Sequence, residues 1–194
     1  EIGVRLVGSE MCIRDRYQGE ANVGRSEQYG DLFPALITDW RRQWRSDFPF
    51  YFVQLANFME SKKIQPDSEW AALREAQTKA LKLDQVGMAV TIDIGLADDI
   101  HPKNKQEVGR RLALVALAGS YGKNVSSSAP VFQNYIIKGN KMELDFGQKQ
   151  DGFQIKGTTL KGFTIAGPDR VFYPAEAMVH DGKTVSYTHL TLPT

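Results

Sequence analysis

Up to residue 122 the apolar positions recur at two spacings, and the two spacings alternate along the chain. In SEQYGDLFPALITDWRRQW, residues 26–44, the positions Tyr29, Leu32, Phe33, Leu36, Ile37, Trp40 and Trp44 step by three and four, which makes one helical stripe. Ser26 stands where an N-cap is expected, and Pro34 inside the stripe predicts a kink or the first regular turn. FPFYFVQLANF, residues 48–58, is short, apolar and aromatic, which predicts a strand buried on both faces. SEWAALREAQTKALKL, residues 68–83, is helical again, with Ser68 or Asp67 as its cap. GMAVTIDIG, residues 87–95, predicts a second buried strand ended by Gly95. KNKQEVGRRLALVALAGSYG, residues 103–122, predicts a third helix stopped by Gly119 and Gly122. Strands separated by helices imply a parallel sheet with right-handed crossovers.

Beyond Gly122 the spacing changes. NVSSSAP has the composition of a linker. It is followed by FQNYIIKG, KMELDFG, FQIKG, LKGFTIAG and VFYPAEAMV, separated by Gly, Asn and Asp. Short strands at that spacing predict a partial antiparallel β-sandwich.

The two ends fit neither pattern. Arg5–Arg16 back-translates into a sequence that resembles a library-preparation adapter ending GAGATGTGTATAAGAGACAG. The reverse complement of that run encodes Val185–Leu190 in one frame, and Thr191–Thr194 continue into what looks like the partner adapter. Residues 1–16 and 185–194 therefore read as non-native ends and are set aside. The remaining organisation is an α/β part over 17–122, a linker over 123–130 and the β part over 131–184. The β part reads as cut by the second non-native end, with its last strands missing, which is the mark of a fragment.

Charge adds little. Lys and Arg number 24 against 23 Asp and Glu, a net of +1, and the excluded ends remove three of each sign. That balance gives no electrostatic case for nucleic acid or an anionic membrane. No apolar run reaches the length of a membrane span. The single cysteine, Cys12, lies in an excluded end, so disulfides and thiolate metal sites are not expected, and no metal or cofactor is indicated. Nothing sets an oligomeric state.

In open parallel sheets, ligands bind beyond the carboxyl ends of the strands. Two polar stretches fall there: YQGEAN, residues 17–22, and IGLADDIHPKNK, residues 94–105. Outside the excluded ends the histidines are His101 and His180. His180, in AMVHDGK, reads as a surface turn residue. His101 follows a buried strand and precedes Pro102, which biases it to an extended backbone and is expected to open the next helix. Asp98, three residues earlier, is placed to reach its Nδ1–H, fix the tautomer and leave Nε2 as a base. No serine completes the set. Ser26 suits a helix cap, Ser120 lies near a helix end, and Ser126, Ser127 and Ser128 lie in the linker.

YQGEAN, PFYFVQLANF, WAALREAQ and above all DIHPKNKQEVGRRLA resemble the sialate O-acetylesterase family of the SGNH hydrolase superfamily, over Tyr17 to about Thr184. The resemblance implies a truncated flavodoxin-like (SGNH) α/β/α sandwich followed by the partial β-sandwich. It implies hydrolysis of acetyl esters on sugar hydroxyls by a serine nucleophile, an oxyanion hole and an Asp-x-x-His motif. Carried over, His101 is the general base and Asp98 its orienting carboxylate; adjacent Asp99 competes for that role, but the family spacing favours Asp98. Gln18 or Asn22 supplies a side-chain amide to the oxyanion and Gly19 an N–H. Glu20, Arg74 and Gln77 are weaker candidates for contact with sugar. The implied partner is an O-acetylated sugar or glycan, in a secreted or periplasmic setting. The family's first serine block is absent, and Arg16 stands where a tryptophan commonly precedes Tyr-Gln-Gly-Glu. The chain as given is therefore expected to be inactive. Two other readings share part of this pattern. One is an acetylxylan-esterase-type SGNH enzyme. The other is a non-catalytic carbohydrate-binding or interdomain module, which requires Phe153, Phe163, Phe172 and Tyr173 to form a surface platform.

Overall fold

The computed structural model of the protein describes residues 14–62, 67–127, 129–139, 141–147, 160–180 and 183–187. These divide into two compact units, those of 1–61 with 68–129 and those of 62–67 with 130–194.

In the first unit three short strands pair in parallel in the order β1-β2-β3. They are β1 Arg14–Tyr17, β2 Phe50–Val53 and β3 Val86–Ala89. Register runs from Arg14 opposite Phe50 to Tyr17 opposite Val53, and from Phe50 opposite Val86 to Val53 opposite Ala89. All four residues of β2 are buried, as a central strand covered on both faces requires. Because successive side chains alternate faces, Phe50 and Phe52 enter one core and Tyr51 the other.

The larger core is built by α1, Ser26–Trp44, and α2, Glu69–Thr78. Tyr29, Phe33 and Ile37 of α1 and Trp70, Leu73 and Ala76 of α2 close over Phe50 and Phe52. The Phe33 and Phe52 rings meet edge-on at 4.9 Å. On the opposite face α3, Lys105–Gly119, places Val115, Leu112 and Ala116 against Tyr51 and Ala89. The unit is thus an α/β/α arrangement, as the helix–strand alternation predicts.

Element boundaries differ from expectation in three places. A 3-10 turn over Glu20–Arg25 runs straight into α1, so Ser26 is its first helical residue and not its N-cap, and the helix continues through Pro34. Strand β3 ends at Ala89, well before Gly95, because Val90–His101 becomes a loop. Pro102 is buried in that loop and does not open α3; Asn104 caps the helix, its side chain accepting from the Glu107 N–H at 3.1 Å. Ser68, one of the two expected caps, does cap α2. Arg14–Arg16, set aside in the sequence, pair with β2, and Val185–Tyr187 pair within the second unit.

The second unit is antiparallel. Strands β4 Asn134–Lys138, β5 Lys141–Asp145, β8 Glu176–His180 and β9 Lys183–Tyr187 form one sheet in the order β4-β5-β9-β8. β6 Thr164–Ala166 and β7 Phe172–Pro174 form a second. The strand expected at FQIKG lies outside the described residues. β4 is exposed along its whole length, Tyr135, Ile136 and Ile137 included.

One ion-pair network fixes α3 to the β3 loop. Arg111 donates to the Val90 carbonyl at 2.7 Å, to Asp93 Oδ1 at 2.5 Å and Oδ2 at 2.9 Å, and to Glu107 Oε1 at 2.8 Å. Glu107 also accepts two hydrogen bonds from Arg110 at 2.7 Å. The Arg110 bonds, then those of Arg111, pull the Glu107 carboxyl from its ordinary 4.5 to about 2. The folded value is depressed, so this contribution to stability is complete above the unfolded value and is lost as pH falls toward 2.

Two outcomes follow from this packing. Phe52→Ala should destabilise the chain by about 3–5 kcal/mol in urea unfolding; a loss below about 1 kcal/mol would place Phe52 outside a closed core. In an NMR titration Glu107 should have its midpoint at about 2, and Arg111→Gln should raise it part of the way back, because Arg110 still donates. A midpoint unmoved by that substitution would remove Arg111 from the network.

Candidate active site

The carboxyl end of β1 runs into Gln18 and Gly19. Gly19 has φ 142°, a backbone region that side chains avoid, and a Cβ there would stand 3.2 Å from Leu73 Cδ2. The chain then turns back, with the Asn22 N–H donating to the Gly19 carbonyl at 2.8 Å. Inside the turn the side chains order one another. Tyr29 Oη donates toward both the Gln18 carbonyl and Gln18 Oε1, at 3.2 Å each. Burial pushes the Tyr29 phenol above its ordinary range and keeps its proton on. Arg16 Nη2 also donates to Gln18 Oε1, at 3.3 Å, while its buried Nε meets no partner among the described residues. With Oε1 accepting twice, Gln18 Nε2 is the donor to Asn22 Oδ1, at 2.8 Å. The Asn22 amide is thereby oriented, and its NH₂ is the group left over.

Past β2, the segment Gln54–Met59 ties the neighbouring loops together. The Leu55 N–H donates to Gln77 Oε1 at 3.0 Å, and Gln77 Nε2 donates to the Gln18 carbonyl at 3.1 Å. Thr91 Oγ1 donates to the Gln54 carbonyl at 2.7 Å, and Asn57 Oδ1 accepts from the Gly95 N–H at 2.8 Å. The Met59 N–H donates to the Ala97 carbonyl at 3.0 Å. Gly95 is required there, since a Cβ would collide with the Asn57 backbone. Ile100 packs on the larger core, and Lys105 Nζ lies 5.7 Å from the centre of the Tyr17 ring. The histidine loop and the YQGEAN loop are thus both anchored at the carboxyl edge of one sheet.

His101 occupies that edge with its side chain 77% exposed. The expected partner Asp98 is not the carboxylate it meets. Asp99 Oδ1 accepts from the His101 backbone N–H at 2.9 Å and lies 3.4 Å from Nδ1, and Lys103 Nζ stands 3.8 Å from Asp99 Oδ2. The His101 N–H, more than any other group, holds the Asp99 carboxyl below its ordinary range. The physical reason for the correction is local: a carboxylate two residues ahead closes an Asx turn on the backbone. A second correction concerns Gln77. It was expected on a helix face within reach of sugar, but it is 1% exposed and spent on Leu55 and Gln18. Its place among Trp70, Leu73 and Ala76 on the buried stripe of α2 is the signal that could have shown this. Arg74, on the same helix, is half-buried, and burial lowers its guanidinium. Its carbonyl accepts from Gln54 Nε2 at 3.1 Å, and its side chain has no partner among the described residues. Glu20 is half-exposed at the start of the 3-10 turn. Tyr29, Gln54, Asn57 and Thr91 brace the site and were missed, because no short-range spacing links them to it.

Among the described residues no three His, Cys, Asp or Glu side chains gather as a metal site, and no helix is long and apolar enough to cross a membrane. Phe163 and Phe172 are partly buried and Tyr173 is 37% exposed, which does not make an aromatic platform; Phe153 lies outside the described residues. Ser126 and Ser127 line a cleft of 360 Å³ with Asp93 and Arg111.

No family model matches the chain. The sialate O-acetylesterase of Mus musculus is 38% identical to it, in an alignment taking in 77% of this chain and 31% of that protein. The sialate O-acetylesterase of Homo sapiens is 36% identical, over 77% of this chain and 32% of that one. The chain therefore spans about a third of the length of these curated relatives. The crystal structure of a carbohydrate acetylesterase from Xanthomonas citri aligns with a TM-score of 0.80 at 39% identity, covering 90% of this chain and 41% of that one. Over the segment that it shares with these proteins, the chain belongs to the sialate O-acetylesterase family.

Proposed function

We propose that this chain supplies the general base and the oxyanion donors of a carbohydrate O-acetylesterase that removes acetyl groups from sugar hydroxyls, with O-acetylated sialate as the substrate its relatives' names suggest. The observation that carries this reading is the oriented amide at the end of β1. Gln18 donates to Asn22 Oδ1, so the Asn22 NH₂ is left to donate, and three residues away the N–H of buried Gly19 meets no acceptor among the described residues. Two preorganised donors without an internal acceptor are what a developing oxyanion needs. The same network supports Asn22 over Gln18. Gln18 is engaged at both its oxygen and its nitrogen, so Asn22 is the donor and Gln18 its orienting group.

The reaction then runs as a two-step acyl transfer. A serine hydroxyl attacks the acetyl carbonyl while His101 Nε2 takes its proton. Asn22 and Gly19 hold the tetrahedral oxyanion. Collapse breaks the ester bond, and His101 returns the proton to the leaving sugar oxygen. Water, deprotonated by His101, releases acetate from the serine. No serine hydroxyl is bonded to His101 among the described residues, and the family's serine block has no counterpart in residues 17–184. The family spacing assigns the orienting role to Asp98, whereas the carboxylate nearest the ring in this structure is Asp99, 3.4 Å from Nδ1. Asp99 holds the loop through the His101 N–H.

The chain alone should show no more turnover of an activated acetyl ester than its His101→Ala variant; turnover that vanishes in that variant would reveal a nucleophile within the chain. In an enzyme completed with the serine block, Asn22→Ala should lower kcat by roughly a hundredfold or more with KM little changed. Gln18→Ala should cost less, because it loosens the donor without removing it. Asp98→Asn should be more damaging than Asp99→Asn, since it presents the wrong tautomer. The reverse order in kcat would move the orienting role to Asp99.

A further inference from the structure

We infer that Gln77, with Tyr29, is a positioning residue that aims the Gly19 N–H at the reacting carbonyl oxygen, an assignment that rests on the esterase reading above. The peptide between Gln18 and Gly19 has its carbonyl at one end and the Gly19 N–H at the other, pointing in opposite directions across a planar trans unit. The carbonyl is held inward by two donors, Gln77 Nε2 at 3.1 Å and Tyr29 Oη at 3.2 Å. Fixing the carbonyl fixes the N–H on the other side, away from the core. The following peptide is pinned as well, through the Asn22 N–H on the Gly19 carbonyl at 2.8 Å. Both planes that flank Gly19 are therefore set, and its N–H, like the Asn22 NH₂, is left without a partner among the described residues. An unpaired backbone donor in a buried residue is costly, which is why nearly all are satisfied.

Gln77 suits this task for a second reason. Its oxygen accepts from the Leu55 N–H at 3.0 Å, so the amide cannot flip without breaking both bonds. The second residue past the central strand, Leu55, thus decides which end of Gln77 faces Gln18. Glycine at 19 makes the arrangement necessary. A residue at φ 142° with no side chain has little of its own to resist rotation, so the hold must come from outside. Leu73 and Gln77, one turn apart on α2, both stand against it.

Residual dipolar couplings of the ¹⁵N-labelled chain report the direction of each N–H and need no enzymatic turnover. Gln77→Glu keeps an acceptor for the Leu55 N–H but sets a carboxylate against the Gln18 carbonyl. It should reorient the Gly19 N–H while the couplings of Phe50–Val53 stay in place. Tyr29→Phe, a milder change, should shift the Gly19 coupling in the same sense and by less. Gln77→Leu should move both Gly19 and Leu55; if it fails to fold, the other two variants still decide the matter. Unchanged Gly19 couplings in Gln77→Glu and Tyr29→Phe, alongside a lowered Tm, would make these residues packing groups only and overturn the assignment. That failure leaves the esterase reading intact. A completed enzyme without esterase activity would instead overturn the reading and leave the couplings as they are.

Discussion

Strand β2 ends abruptly, and its ending organises everything beside it. Its four residues are buried on both faces and bonded on both edges. The next residues leave the sheet while still buried, with Leu55 and Ala56 in the interior. Their backbone groups cannot turn to water, so each must find a partner from a neighbouring element. The Leu55 N–H takes Gln77, the Gln54 carbonyl takes Thr91, and Asn57 and Met59 take the backbone at Gly95 and Ala97. The demand for those partners draws the loops after β1 and β3 to the same edge. The candidate site at that edge follows from hydrogen-bond satisfaction, with a few donors left unspent among the described residues.

Those unspent groups have a common character. The Asn22 NH₂ and the Gly19 N–H belong to units whose other polar atoms are fully engaged. Preorganisation comes from this asymmetry. A group with one end held firmly cannot relax toward solvent, so it need not reorganise when charge develops nearby. His101 is built on the opposite plan. Its backbone is held by Asp99, while its ring stands mostly in solvent.

The helix–strand alternation was legible because it depends on local spacing. The stripe from Tyr29 to Trp44 and the aromatic run at Phe50–Val53 announce their partners before any contact is known. Boundaries were less legible. Pro102 reads as a helix start, but its ring is buried in the loop, and Asn104 has the side chain that caps. Where residues are close in sequence, spacing did place them together: Gln18, Gly19 and Asn22 share one turn. Spacing could not place Gln77, whose partners Leu55 and Gln18 are distant in sequence, or tell a ring contact from a backbone turn at Asp99. Arg16 shows the converse. A guanidinium with an unmatched buried Nε sits where the resemblance leads one to expect an aromatic ring.

The exposed strand β4 bears on how the molecule behaves in company. It closes one side of its sheet, so among the described residues one row of its backbone N–H and C=O groups has no strand to pair with. Tyr135, Ile136 and Ile137 stand uncovered along it. Lys138, bonded to Glu143, is the charge that guards this row. With its charge partly offset by that partner, it is a weak guard, and exposed edges of this kind are where strands of separate chains pair. The five residues of β4 therefore hold little in their own composition that opposes edge-to-edge pairing.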